Sequence, residues 1–108
     1  MSLSRLSENE KEIVRKAMAA TFEYFTWDFH TRIGVEPERM RELLNQWPNV
    51  DDSLDDSDAC LAINNSLNDL LGISEEQSLT IFGVKRLEVK RVYKKWATER
   101  GWRHTGIM

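Results

Sequence analysis

The sequence predicts an all-α protein: a single-domain bundle of about five helices, with a long, widely apolar N-terminal helix and a basic C-terminal helix. Three observations predict it. Apolar residues recur at helical spacing along most of the chain, and convincing strand alternation is absent. Serine-led capping boxes and glycine or proline residues punctuate those runs where helices should start and stop. The length of 108 residues with 41% hydrophobic content suits one core and leaves no room for a separate cofactor domain.

The first helix is predicted from about Glu8 to about Ile33. Ser7-Glu8-Asn9-Glu10 fits a capping box, in which each end satisfies a free backbone N–H of the other. Gly34 stands where a helix ends in a left-handed residue. Val14, Met18, Phe22, Phe25 and Phe29 form one stripe, and Ile13, Ala17, Ala20, Tyr24 and Trp27 lie beside it. Together they cover more than half the helix circumference, whereas a surface helix needs an apolar arc of only about 100°. A central position, packed on two sides, follows. Asp28 falls on the apolar arc and conflicts with it. Residues 22–29 also admit a short aromatic strand.

Pro37 suits the first turn of a second helix, where its missing N–H costs nothing. Met40, Leu43, Leu44 and Trp47 recur along that helix and Pro48 stops it. A loop rich in Asp and Ser follows, Asn49 to Asp58, with Asp58 expected to cap the next helix. That third helix, about Ser57 to Leu71, carries Cys60, Ile63, Leu67, Leu70 and Leu71 on one face, with Asn64 at its edge and Gly72 closing it. Ser74-Glu75-Glu76-Gln77 is a second capping box and opens a short helix to about Phe82. Gly83-Val84 makes a turn. The last helix runs from about Lys85 to Arg100, with Val89, Val92, Tyr93 and Trp96 as its core face and Gly101 at its end. Domain boundaries, repeats and linkers are absent, so residues 1–108 form one domain, with 1–6 and 102–108 expected as flexible ends.

The net charge of −3 hides an asymmetry. Residues 51–84 contain no Lys or Arg and 8 Asp or Glu, a net of −8. Residues 85–108 contain 8 Lys or Arg and 2 Asp or Glu, a net of +6. Such a split is a functional hint in a chain with few others.

The segment Glu75 to Lys94 has the outline of a helix-turn-helix: a short helix, a glycine able to adopt positive φ, a hydrophobic residue, then a basic helix. In that reading Lys85, Arg86 and Lys90 face nucleic acid, while Arg91, Lys94 and Lys95 reach phosphates. The same six side chains could instead be simply solvated, be neutralised in cis by the acidic 51–84 segment, or meet an acidic protein partner or an anionic membrane surface. The outline has defects. Leu79 stands where such a motif carries a small residue, Ser78 stands where it carries an apolar one, and the first helix is acidic.

Asp51, Asp52, Asp55, Asp56 and Asp58 could attract a divalent cation, but neither the glycine nor the terminal glutamate of an EF-hand loop is present. No metal or other cofactor is inferred. The two histidines, His30 and His104, stand in no ligand spacing. Cys60 lies on an apolar helix face, where cysteine behaves as a small buried hydrophobe. Phosphate-binding and nucleophile-elbow motifs are missing. Catalysis therefore has no positive support, and no small-molecule ligand is inferred. Trp27, Trp47 and Trp96 fall on apolar faces and are expected in the core, whereas Trp102 lies past the last helix. A single cysteine, no apolar run near the ~18 residues of a membrane span, and no signal-peptide core in the first twelve residues predict a cytoplasmic protein.

These features predict a small helical protein that acts by protein–protein contact. A homodimer is one form of it, because five helices could leave part of the first helix uncovered. Nucleic-acid binding through 75–95 is the alternative.

Overall fold

The computed structural model of the chain describes residue 3 and residues 6–24, 33–52 and 57–98. Among these residues five helices follow in order: α1 Glu8–Tyr24, α2 Pro37–Gln46, α3 Asp58–Leu70, α4 Glu75–Phe82 and α5 Arg86–Thr98, with no strand. The protein is an all-α bundle, as its periodicity predicts. Several expectations fall outside the described residues: those for Phe25, Trp27, Asp28, Phe29 and His30, for Asp55 and Asp56, and for Arg100, Gly101, Trp102 and His104. Of the stretch where helix and strand competed, residues 22–24 are helical.

The capping box at the start of α1 forms in full. Glu10 N–H donates to Ser7 Oγ at 3.1 Å, and Ser7 N–H donates to Glu10 Oε1 at 2.7 Å. Helix α1 packs against all four other helices, most extensively against α3. Ile13, Val14, Ala17 and Met18 are buried, with Ala20 and Phe22 packed at the edge of the core. The width of its apolar arc is thus taken up inside the chain over the described residues. Thr21 is also buried, and its hydroxyl donates to the Met18 carbonyl at 2.6 Å.

Ile33 is helical and Gly34 takes φ +90°, the left-handed position its sequence context predicts. The Asn65 side-chain amide donates to the Ile33 carbonyl at 2.7 Å, and a Cβ on Gly34 would stand 3.2 Å from that same amide nitrogen. Conformation and space therefore both favour glycine there. Pro37 opens α2, which buries Met40 and Leu43 and leaves Trp47 half-buried past its end. The Arg41 guanidinium lies 4.9 Å from the centroid of the Phe22 ring, a cation–π contact that links α2 to α1.

The cap of α3 differs from expectation by one residue. Ser57, not Asp58, is the N-cap, its Oγ accepting from the Cys60 N–H at 3.2 Å. Asp58 is the first helical residue, and its carboxylate accepts from Arg39 Nε at 3.0 Å. The other end of α3 falls where expected, with Leu71 as C-cap and Gly72 next, its N–H on the Asp69 carbonyl at 3.3 Å. Gly72 closes it without a positive φ, and Leu71 N–H bonds the Leu67 and Asn68 carbonyls. Helix α3 buries Ala59, Cys60, Ala62, Ile63, Ser66, Leu67 and Leu70. Its small members let neighbours pack on several sides, and each larger aliphatic side chain contributes roughly 1.5–3 kcal/mol by leaving water.

The last helix supplies Val89, Val92, Tyr93, Trp96 and Ala97 to the core. Tyr93 and Trp96 rings lie 6.2 Å apart and tilted, within the range of favourable aromatic pairs. The Tyr93 hydroxyl donates to Asn64 Oδ1 on α3, and burial raises its pKa.

Two leucines assigned to a flexible N-terminal end are in fact buried, Leu3 and Leu6. Leu3 is held by Asp52, a fully buried carboxylate whose Oδ2 accepts from Leu3 N–H at 3.2 Å and from Trp96 Nε1 at 2.9 Å. This residue sits in the loop the sequence marks as exposed. A buried carboxylate costs free energy unless donors meet it, and here a backbone amide and an indole do. No helix among the described residues is long and apolar enough to cross a membrane.

Candidate partner-binding face

The unit α4–turn–α5 carries all six candidate contact residues, and its geometry starts from two local devices. Ser74 and Gln77 complete the predicted capping box at the start of α4, with Gln77 N–H on Ser74 Oγ and Ser74 N–H on Gln77 Oε1, both at 3.1 Å. Gly83 ends α4 at φ +74°, ψ 8°, the left-handed C′ conformation, with its N–H on the Leu79 carbonyl at 3.0 Å. The turn is then fixed from inside. Ser78 is fully buried and donates its hydroxyl to the Val84 carbonyl at 2.9 Å.

That bond explains the two departures from a helix-turn-helix pattern, at Ser78 and Leu79. The small residue turned inward is Ser78, one place before the expected one, because its hydroxyl satisfies a turn carbonyl that would otherwise be left without a partner. Leu79 is consequently turned outward and is 48% exposed. The helix–turn–helix outline exists, with the inward face of its first helix displaced by one residue from the usual pattern.

On α5 the charged residues divide by partner. Arg91 forms a two-pronged ion pair with Glu88 one turn away, which raises the guanidinium pKa. Lys95 Nζ lies 2.9 Å from Glu10 Oε1. Glu10, tied to the Ser7 backbone N–H and to Lys95, has its pKa lowered. Lys85 and Arg86 are exposed and Lys90 half-exposed, and these three make no ion pair among the described residues. Lys94 is exposed. The described residues of the acidic loop do not supply the acids that meet Arg91 and Lys95. Asp52 is committed to Trp96 and Leu3, Asp58 to Arg39, and the acids that meet Arg91 and Lys95 come from α5 itself and from α1.

At the start of α5, Glu75 Oε2 accepts from the Arg86 N–H at 3.0 Å, a carboxylate at a helix N-terminus where the dipole favours it. The next residue is Leu87, 76% exposed. Leu79 and Leu87 are the only large hydrophobic residues exposed among those described, and both line one hollow of about 790 Å³ between the start of α1, α4 and α5. Ile13 and Val84 add apolar wall, and Lys85, Glu10, Glu88 and Arg91 form the rim. On the other side of Leu87 a second hollow of about 380 Å³ is lined by Leu71, Glu75, Arg86 and Lys90.

Leu87 is the functional candidate that sequence reasoning missed. Its signal was present. At helical periodicity it falls about half a turn away from the stripe of Val89, Val92, Tyr93 and Trp96, so an apolar residue there had no place in the core. Cys60 is fully buried, as its apolar face predicts. Among the described residues no group of three or more His, Cys, Asp or Glu side chains is placed to hold a metal ion.

Compared with known proteins, the chain matches no protein-family model, no curated sequence and no solved structure.

Proposed function

We propose that the chain is a cytoplasmic protein-interaction module that receives its partner on the α4–turn–α5 face. The observation that carries this reading is the convergence of Leu79 and Leu87 on one hollow. Scattered exposed apolar residues need no explanation, but paired ones lining a concavity beside charged rims are what interaction sites look like. The one cysteine, buried and outside any disulfide, agrees with a reducing compartment.

Two other readings use the same surface. For nucleic acid, Lys85, Arg86 and Lys90 supply the charge, but the Glu75 carboxylate stands at the helix end a phosphate would approach, and the exposed Leu79 and Leu87 offer a phosphate backbone nothing to bind. For a homodimer, the described apolar arc of α1 is already covered by four helices. A foreign protein partner fits both sets of facts better.

Affinity purification from the cells that make the protein, wild type against Leu87→Asp, tests the reading. A partner recovered with wild type and lost with the variant is expected. Duplex DNA titrated at ~50 mM salt, where phosphate contacts are still strong, should show no binding. Identical recoveries from both proteins, or DNA binding abolished by Lys90→Glu, would overturn it.

A further inference from the structure

We infer that the segment bound on this face is an acidic amphipathic helix, an inference that rests on the protein-interaction reading above. Three features of the face determine that chemistry.

The first is apolar relief. Leu87 stands as a ridge between the two hollows, and the larger one has walls of Ile13, Leu79, Val84 and Leu87 itself. Bulky aliphatic or aromatic side chains fill such a space, and an 87-side contact removes from water a leucine that is 76% exposed.

The second is the charge left after internal pairing. Around the larger hollow Glu10 is bonded to Lys95 and Glu88 to Arg91, so these four side chains cancel in pairs and Lys85 remains. Around the smaller hollow Arg86 and Lys90 stand beside one carboxylate, Glu75, which keeps its charge while it accepts from the Arg86 N–H, so this lining stays positive by one charge. A partner that covers Leu87 partly dehydrates these cations. Without carboxylates of its own it would leave them partly dehydrated and without a counter-charge, which offsets part of what the apolar contact returns. Asp or Glu beside the apolar residues removes that cost and steers the approach.

The third is the backbone. The face consists of helices and a turn whose backbone groups are already bonded, and no strand edge exists among the described residues. An extended peptide would find no ladder to join. A helix satisfies its own backbone and presents apolar and acidic residues as adjacent rows one turn apart, the helix-in-groove mode.

The test is a displayed library of random peptides of ~15 residues, long enough for about four helical turns, panned against the full chain. The synthesised winners are then measured by fluorescence anisotropy. Winners should carry Leu, Ile, Met or Phe at i, i+3, i+4 and i+7, flanked by Asp or Glu. Affinity should fall at least about tenfold with Leu87→Ala and about tenfold with Lys90→Glu, and weaken as salt rises through ~0.1 M. Both variants alter exposed or half-exposed residues, and circular dichroism and melting checks that they fold as wild type does. Neutral or basic winners that still depend on Leu87 would overturn the acidic chemistry and leave the interaction face standing. Winners indifferent to both Leu87→Ala and Leu79→Ala, or no winners, would overturn both. A concentration-dependent dimer by light scattering, lost with Leu87→Ala, would make the occupant a second copy of this chain instead.

Discussion

The two ends of α5 break the usual distribution of residues in opposite senses. Near its C-terminal end Trp96 draws a carboxylate into the core, where Asp52 is fully buried and also holds Leu3. In its first turn Leu87 holds an apolar side chain out in water. Buried acids and exposed large hydrophobics are the informative exceptions to the inside–outside rule. The difference lies in what each is joined to. Asp52 links residues 44 and 49 positions away, so it ties the N-terminal segment and the post-α2 loop to the last helix. Leu87 has no place in the core that the described residues form, so its exposure stabilises nothing there. The first is an architectural tie and the second is spare surface.

That contrast can be broken by stability measurements, which should separate the two ends cleanly. The largest effect belongs to Asp52→Ala, which leaves the Trp96 indole and the Leu3 amide buried without an acceptor. A loss of about 2–4 kcal/mol is expected, read as a lower urea midpoint at unchanged slope. A loss below about 1 kcal/mol would mean that Asp52 is a tolerated passenger. Ser78→Ala comes next. It removes the hydroxyl that satisfies the Val84 carbonyl and should cost about 1 kcal/mol, with the turn's amides exchanging faster with solvent as the second readout.

Glu10 predicts a smaller, pH-dependent effect. Its pKa in the folded chain is lowered by the Ser7 backbone N–H and by Lys95. A lowered carboxylate pKa contributes stability that is present above the unfolded value of about 4.3 and is lost as pH falls through the folded one. Glu10→Gln should therefore flatten the decline in stability below about pH 4.3 while leaving the profile above pH 6 parallel to wild type. An unchanged acid limb would show that the Glu10–Lys95 pair is screened away. The smallest effect is expected from Leu87→Ala, within about 0.5 kcal/mol of wild type, or under about 4 °C in Tm for a domain of this size. A loss of 2 kcal/mol or more, the order of a core truncation, would show that Leu87 is structural after all.

What was legible in the sequence follows the range of the forces involved. Helix starts and ends are local. Ser7 with Glu10, Ser74 with Gln77, Pro37, Gly34 and Gly83 each act within a few residues, and all stand where the sequence puts them. Core faces are periodic, so Val14, Met18, Cys60, Ile63, Val92 and Trp96 were identifiable from spacing alone. Asp52 was not, because its partners lie on other elements and nothing beside it in the chain distinguishes it from Asp51. The partners of two α5 cations were hidden for the same reason. Totals per segment suggest that the −8 stretch neutralises the +6 one, yet Arg91 is met by Glu88 at i−3 and Lys95 by Glu10 on α1. The exposed face was half legible. Leu79 stood out as the wrong residue for its place, whereas Leu87 needed the question of which apolar residue lies opposite the core stripe.

Gly83 carries a consequence of another kind. Its backbone is left-handed at φ +74°, ψ 8°, and a Cβ added there would meet nothing within 4 Å. Packing is thereby removed from the comparison, and handedness is all that remains. An L-alanine at this turn pays the left-handed penalty, about 1–2 kcal/mol. A D-alanine introduced by chemical ligation finds the same dihedrals natural, and by narrowing the freedom of the unfolded chain it should stabilise the fold by about 0.4–1 kcal/mol. The turn that aims α5 at its surroundings is thus a place where a mirror-image residue suits the protein better than any encoded one with a side chain.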